Sequence, residues 1–147
     1  MKITIPGNPP RKDEHWQPVA GRGRMAMLRL TPAGREFRAK VKKEVRRLVN
    51  SGEAKFPEGP LYCVQIDMYV VQNRHLEGGV TVPRRDLDSS ISPVLDALEA
   101  AGVFGVAEGD ADVRVDELPS PRRFKDAKNP RTEIEVTTCK KSGGHYG

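Results

Sequence analysis

Hydrophobic positions along the chain change period several times, and each change marks an element. Lys2–Ile5 alternates polar and apolar before Pro6, which predicts a short strand at an edge or a chain start. Phe37, Val41, Val45 and Leu48 recur at spacings of four, four and three, the stripe of an amphipathic helix. Thr31 is a good N-cap for it, Pro32 suits its first position, and Gly52 follows its end. Leu61–Gln72 returns to period two, with Tyr62, Val64, Ile66, Met68 and Val70 on one face and Gln65, Asp67 and Tyr69 on the other. Val80–Arg85 reads as extended, and Pro83 keeps it out of a sheet centre. Gly78-Gly79 is placed to close a hairpin, inside a polar turn region over Asn73–Gly79.

A second helix starts at Ser89 or Ser90, both good caps, with Pro93 in the first turn where its missing N–H costs nothing. Val94, Leu95, Leu98 and Ala101 form its buried side, and Gly102 ends it. Ala111–Leu118 puts Val113 and Val115 on one face of a strand, and Thr132–Thr138 alternates Ile134 and Val136 against Glu133 and Glu135. Two segments read as loops: residues 6–30, rich in Pro and Gly, and the polar, basic Pro119–Pro130. The sum is one α+β domain over residues 1–139, with a small mixed β-sheet and two main helices packed on it, and a flexible tail at 140–147.

At 147 residues the chain is long enough to close a hydrophobic core. No apolar run is long enough to span a membrane, and the first is too short for a secretion signal. Cys63 and Cys139 lack metal-knuckle spacing and read as reduced thiols of a cytoplasmic protein. His15 and His75 lie in polar loops with no nucleophile pattern beside them.

Charge refines this picture by its placement. The net charge is +5, and Arg35–Arg47 concentrates Arg35, Arg38, Lys40, Lys42, Lys43, Arg46 and Arg47 against Glu36 and Glu44 alone. Crowded cations on one helix repel unless an anion neutralises them, although most charge runs are simply solvated faces. The 6–30 loop carries Arg11, Lys12, His15, Trp16, Arg22 and Arg24, a mixture suited to phosphates and bases, or to a solvated arm. Glu108–Glu117 is acidic instead.

Asp86-Leu87-Asp88 places two carboxylates on one side of an extended chain, just before a helix start. Such a pair resists joint ionisation unless a hard cation such as Mg²⁺ joins it. The alternative is that Asp88 caps the helix and Asp86 pairs with Arg84 or Arg85. A metal site needs further acids, and Asp110 and Asp112 are candidates with Glu108 in reserve. Asp96 either faces the same cleft or is solvated. Phosphodiester hydrolysis also benefits from a nearby cation. The second helix has none, so Arg84, Arg85, Arg114, Arg122, Arg123 and Lys125 are the sources to weigh.

Taken in order, Ile3-Thr4-Ile5-Pro6-Gly7-Asn8-Pro9-Pro10, Thr31–Arg38, Arg84-Arg85-Asp86-Leu87-Asp88, Leu95-Asp96-Ala97-Leu98 and Asp110-Ala111-Asp112-Val113 resemble the RusA family of Holliday junction resolvases. The resemblance implies a homodimer, often phage-encoded and working in the host cytoplasm. Its members bind four-way DNA junctions and nick them with Mg²⁺ or Mn²⁺. By position, Asp86, Asp88 and Asp110 match the catalytic, metal-holding aspartates, with Glu108 and Asp112 as neighbours to which the third could slip. Arg22, Arg24, Arg35, Arg38, Lys42 and Arg46 are expected on DNA, together with Arg84, Arg85, Arg122, Arg123 and Lys125. The family places asparagine directly after the second aspartate and lysine four residues after it, where this chain has Ser89 and Ser92. Serine does not replace a fixed positive charge. Either a cation from the Pro119–Pro130 loop substitutes for it, or the chain binds junctions and cuts them poorly.

Overall fold

The computed structural model describes residues 1–19, 27–71, 74–77, 80–83, 87–105 and 115–139; for residues 27, 74–77 and 80–83 it describes the backbone alone. The sheet is built around β4 (Tyr62–Val70), whose strict alternation buries every second side chain. Antiparallel β9 (Arg131–Thr138) pairs along its whole length, and β1 (Lys2–Pro6) pairs with β9 to form one edge. On the other side of β4 run two short parallel strands, β7 (Val115–Glu117) against Tyr62–Cys63 and β8 (Arg122–Lys125) against Asp67–Val70. The result is a five-stranded mixed sheet.

One face of this sheet is covered by helices. The long helix α2 (Pro32–Ser51) buries Phe37, Val41, Val45 and Leu48, the predicted stripe. Its ends are also as predicted: the Thr31 hydroxyl accepts from the Gly34 N–H at 3.0 Å, Pro32 opens the helix, and Gly52 closes it at φ 79°. Helix α3 (Ile91–Ala100) packs against α2 and buries Pro93, Val94, Ala97 and Leu98. Ile3, Ile5, Val64, Ile66, Met68, Ile134 and Val136 complete the core from the sheet. The other sheet face carries Gln65, Asp67, Tyr69 and Glu133, so this is a two-layer α+β domain. Among the described residues no helix is long and apolar enough to cross a membrane.

Several of these expectations need correction or refinement. Residues 6–30 are not one loop: a short helix α1 (Lys12–His15) leads into a hairpin of β2 (Trp16–Val19) and β3 (Met27–Leu30). Residues 74–77 are not turn but strand. Arg74–Glu77 (β5) pairs antiparallel with Val80–Pro83 (β6), and these form a separate two-stranded ribbon, which satisfies the Pro83 constraint. Pro119–Pro130 contains β8, where Phe124 stacks on Tyr69 at 5.0 Å between ring centroids. Ser90 stands at the N-cap position of α3, as expected, but its side chain makes no capping hydrogen bond. It ends a 3₁₀ turn over Asp88–Ser90, and its buried hydroxyl points to the Met68 sulfur at 3.2 Å. On α3, Ala97 takes the core position expected of Leu95, which is only partly buried against the core.

Candidate functional site

Helix α3 has two sides of different character. Val94, Ala97 and Leu98 face the core, while Asp88, Ser92 and Asp96 recur at intervals of four along the opposite side, flanked by Ile91, Leu95 and Glu99. That polar side lines a cleft of about 570 Å³. Strand β7 adds Val115 and Asp116, and Leu118 lies just beyond it. From the N-terminal segment come Lys12 and Trp16. Four carboxylates, those of Asp88, Asp96, Glu99 and Asp116, thus share one depression with apolar walls.

Asp96 is the best anchored of the four. Arg38 grips it with two donors, Nη2 to Oδ1 at 2.8 Å and Nε to Oδ2 at 3.1 Å. On Oδ2 it also accepts from Nε2 of His15 at 3.0 Å; an ionised carboxylate only accepts, so Nε2 carries the proton. Burial pushes the Asp96 carboxyl up, but the hydrogen bonds from His15 and Arg38 outweigh it and hold the group below the usual carboxylate range. Both readings of Asp96 are therefore half met: it faces the cleft, yet it is tied down rather than solvated.

His15 is fully buried, contrary to its expected place in a polar loop. Its main-chain carbonyl accepts from the Thr31 N–H at 3.0 Å, and the Thr31 hydroxyl donates to the carbonyl of Glu14. Room for the imidazole comes from Gly34 on α2. A methyl group there would sit 2.7 Å from the His15 carbonyl oxygen and 3.0 Å from Nδ1, closer than packing allows. Nδ1 itself has no hydrogen-bond partner among the described residues. The residue that caps α2 therefore also clamps α1, and the imidazole pins α1 to α3. His15 escaped sequence reasoning because a single buried polar side chain leaves no periodic trace.

The expected site residues divide as follows. Asp88 is described and exposed, at the start of the 3₁₀ turn, and it lines the cleft with Ser92. Asp86, Glu108, Asp110 and Asp112 lie outside the described residues, as do Arg22, Arg24, Arg84, Arg85, Arg114 and the 140–147 tail. Asp116 had not been singled out, although the alternation of Val113 and Val115 already assigned it to the opposite side of its strand. Of the basic residues, Arg38 is bound to Asp96, and Arg122 to Asp67 with both contacts at 2.8 Å. Arg35 donates to the Leu30 carbonyl, whereas Lys42, Lys43 and Arg46 make no ion pair among the described residues. Arg122, Arg123 and Lys125 do not line the cleft, so the Pro119–Pro130 segment does not bring the substitute cation to Ser92; among the described residues the basic side chain that lines it is Lys12.

Asp88 and Asp116 are hard oxygen donors of the type Mg²⁺ and Mn²⁺ accept. Among the described residues, however, no three His, Cys, Asp or Glu side chains come close enough together to hold a metal ion. These two acids alone would fill only part of a coordination shell. In comparison with known proteins, no family model matches the chain and no curated protein matches it.

Proposed function

We propose that this chain is a divalent-metal-dependent endodeoxyribonuclease with a RusA-like α+β fold, acting as a homodimer on four-way or otherwise branched DNA. The observation that carries the reading is the carboxylate-lined cleft to which Asp88, from the turn before α3, and Asp116, from β7, both contribute. Carboxylates from separate elements gathered in one depression repel each other and favour a divalent cation. Asp88 and Asp116, with Asp86 and Asp110 by resemblance and Glu108 and Asp112 in reserve, would hold Mg²⁺ or Mn²⁺. Such an ion supplies Lewis acidity toward water and toward a phosphate oxygen.

The remaining features support binding. Ile91, Leu95, Val115 and Leu118 give the cleft apolar walls, and a phosphate seated against them would be partly shielded from water, which strengthens charge interactions there. Lys42, Lys43 and Arg46, exposed on α2 and not engaged in ion pairs among the described residues, are suited to a phosphodiester backbone. A two-fold dimer would present two equivalent clefts to a junction of near two-fold symmetry.

A second reading, junction binding with little or no cutting, is favoured by one feature. Ser92 lines the cleft one helical turn from Asp88, at the position where the family carries lysine. A mobile four-way junction incubated with Mg²⁺ separates the two. The nuclease reading expects symmetric nicks from wild type, none after chelation, and none from D88N, which still binds the junction. Equal cutting by D88N rejects the site, and tight junction binding with no nicking in Mg²⁺ or Mn²⁺ selects the second reading.

A further inference from the structure

Besides Asp96, whose charge Arg38 already neutralises, the cleft places the carboxylates of Asp88, Glu99 and Asp116 around any phosphate that enters it. A phosphodiester carries a full negative charge, so seating one there without a cation from the protein is unfavourable. Position 92, one turn from Asp88, is a serine. The structure brings a cation in from elsewhere: Lys12, on α1, lines the same cleft as Asp88, Ser92 and Asp116. Three facts make this placement more than a passing surface lysine. Helix α1 packs against both the Asp88–Ser90 turn and α3. Its other end is locked, since His15 is fully buried with Nε2 on Asp96 and its carbonyl on the Thr31 N–H. Lys12 makes no ion pair among the described residues, whereas its neighbour Arg11 is paired with Glu14 at 3.0 Å. The His15–Asp96 pair therefore fixes the height of α1 over the cleft, and the ammonium is left for a ligand.

We propose that Lys12 supplies this cleft with the fixed positive charge that position 92 lacks, and that its ammonium contacts the phosphate seated beside Asp88, Ser92 and Asp116. The proposal takes the identity of the anion, a DNA phosphodiester, from the nuclease reading. It is tested with K12Q, K12R, the double variant K12Q/S92K, and D88N as the control for that reading.

Two readouts are used. The first needs no metal: affinity for a four-way junction in EDTA across a salt series. Loss of one phosphate contact is expected to weaken K12Q binding several-fold and to lower the salt slope by about 1, with K12R near wild type. The second is cleavage in Mg²⁺. K12Q is expected to cut about 100-fold more slowly, the scale of losing one donor to a developing negative charge. K12Q/S92K, which restores a lysine from the opposite element, is expected to recover at least about 10-fold of that loss. A residue that merely holds α1 in shape would not be rescued from position 92. An unchanged salt slope in K12Q, or cutting at the wild-type rate, overturns the proposal. If D88N cuts as well as wild type, or wild type does not cut at all, the nuclease reading falls, and the EDTA series still decides on Lys12.

Discussion

Replacing Asp96 by alanine removes the acceptor shared by Arg38 and His15, and its cost can be worked from the contacts. Arg38 loses three charge-assisted contacts from two donor nitrogens, at 2.7, 2.8 and 3.1 Å, and His15 loses its only ring hydrogen-bond partner among the described residues, at 3.0 Å. Hydrogen bonds to charged groups contribute roughly 1.5–3 kcal/mol each, and breaking a buried ion pair costs about 3–5 kcal/mol. The side chains of Arg38 and Asp96 are 25% and 20% exposed, so water partly replaces what the guanidinium loses. The imidazole is 0% exposed and has no such recourse. The expected loss is about 2–4 kcal/mol, or roughly 5–15 °C in Tm for a domain of this size. D96N keeps the shape and one acceptor and is expected to lose about half as much.

Urea melts at several pH values check both the size and the cause. The folded carboxyl titrates below its unfolded value of about 3.9. Its contribution is thus fully present above that value and disappears as pH falls through the lower folded one. The Asp96 contribution to the stability gap between wild type and D96A is expected to narrow as pH falls below about 4. A gap under about 1 kcal/mol at pH 7, or one that does not narrow as pH falls from about 4 toward 2, would refute the account.

Further outcomes follow from neighbouring contacts. G34A drives a methyl into the His15 carbonyl and is expected to destabilise by about 1–3 kcal/mol despite the better helix propensity of alanine, measured by the same melts. T31A loses both the α2 cap and the clamp on Glu14, so it is expected to cost about 1–2 kcal/mol, while T31S keeps most of both. D116N is expected to lower Mg²⁺-dependent junction cutting at least 10-fold with metal-free junction binding retained or slightly tightened, because one repulsive charge leaves the cleft. Equal cutting rates would remove Asp116 from the site.

The parts legible in the sequence were those governed by repetition. The Phe37, Val41, Val45 and Leu48 stripe, its Thr31 and Gly52 ends, and the alternation of Tyr62–Val70 all reappear in the structure because burial of a periodic face dominates local energetics. What escaped notice depends on single long-range contacts. Segment α1–β2–β3 is held by one histidine and one threonine amid prolines and glycines, and β8 is a strand because β4 offers it an edge, not because its own residues alternate cleanly. Ser90 followed the sequence preference for a cap only in type; a buried sulfur took its hydroxyl instead. The cleft was half visible. Asp88, Ser92 and Asp96 share one side of a helix by spacing alone, whereas no spacing relates Lys12 or Asp116 to them.

The broken border formed by β7 and β8 has a consequence for how copies of this molecule meet. Strand β8 ends the sheet beside β4 among the described residues, and an open strand invites foreign backbone to add to it. Here the border is interrupted at Pro119 and Pro121, which have no N–H to offer, and studded with Arg122, Arg123 and Lys125. Two such margins carry the same excess of positive side chains even with Arg122 paired to Asp67, which disfavours edge-to-edge stacking of copies at high concentration.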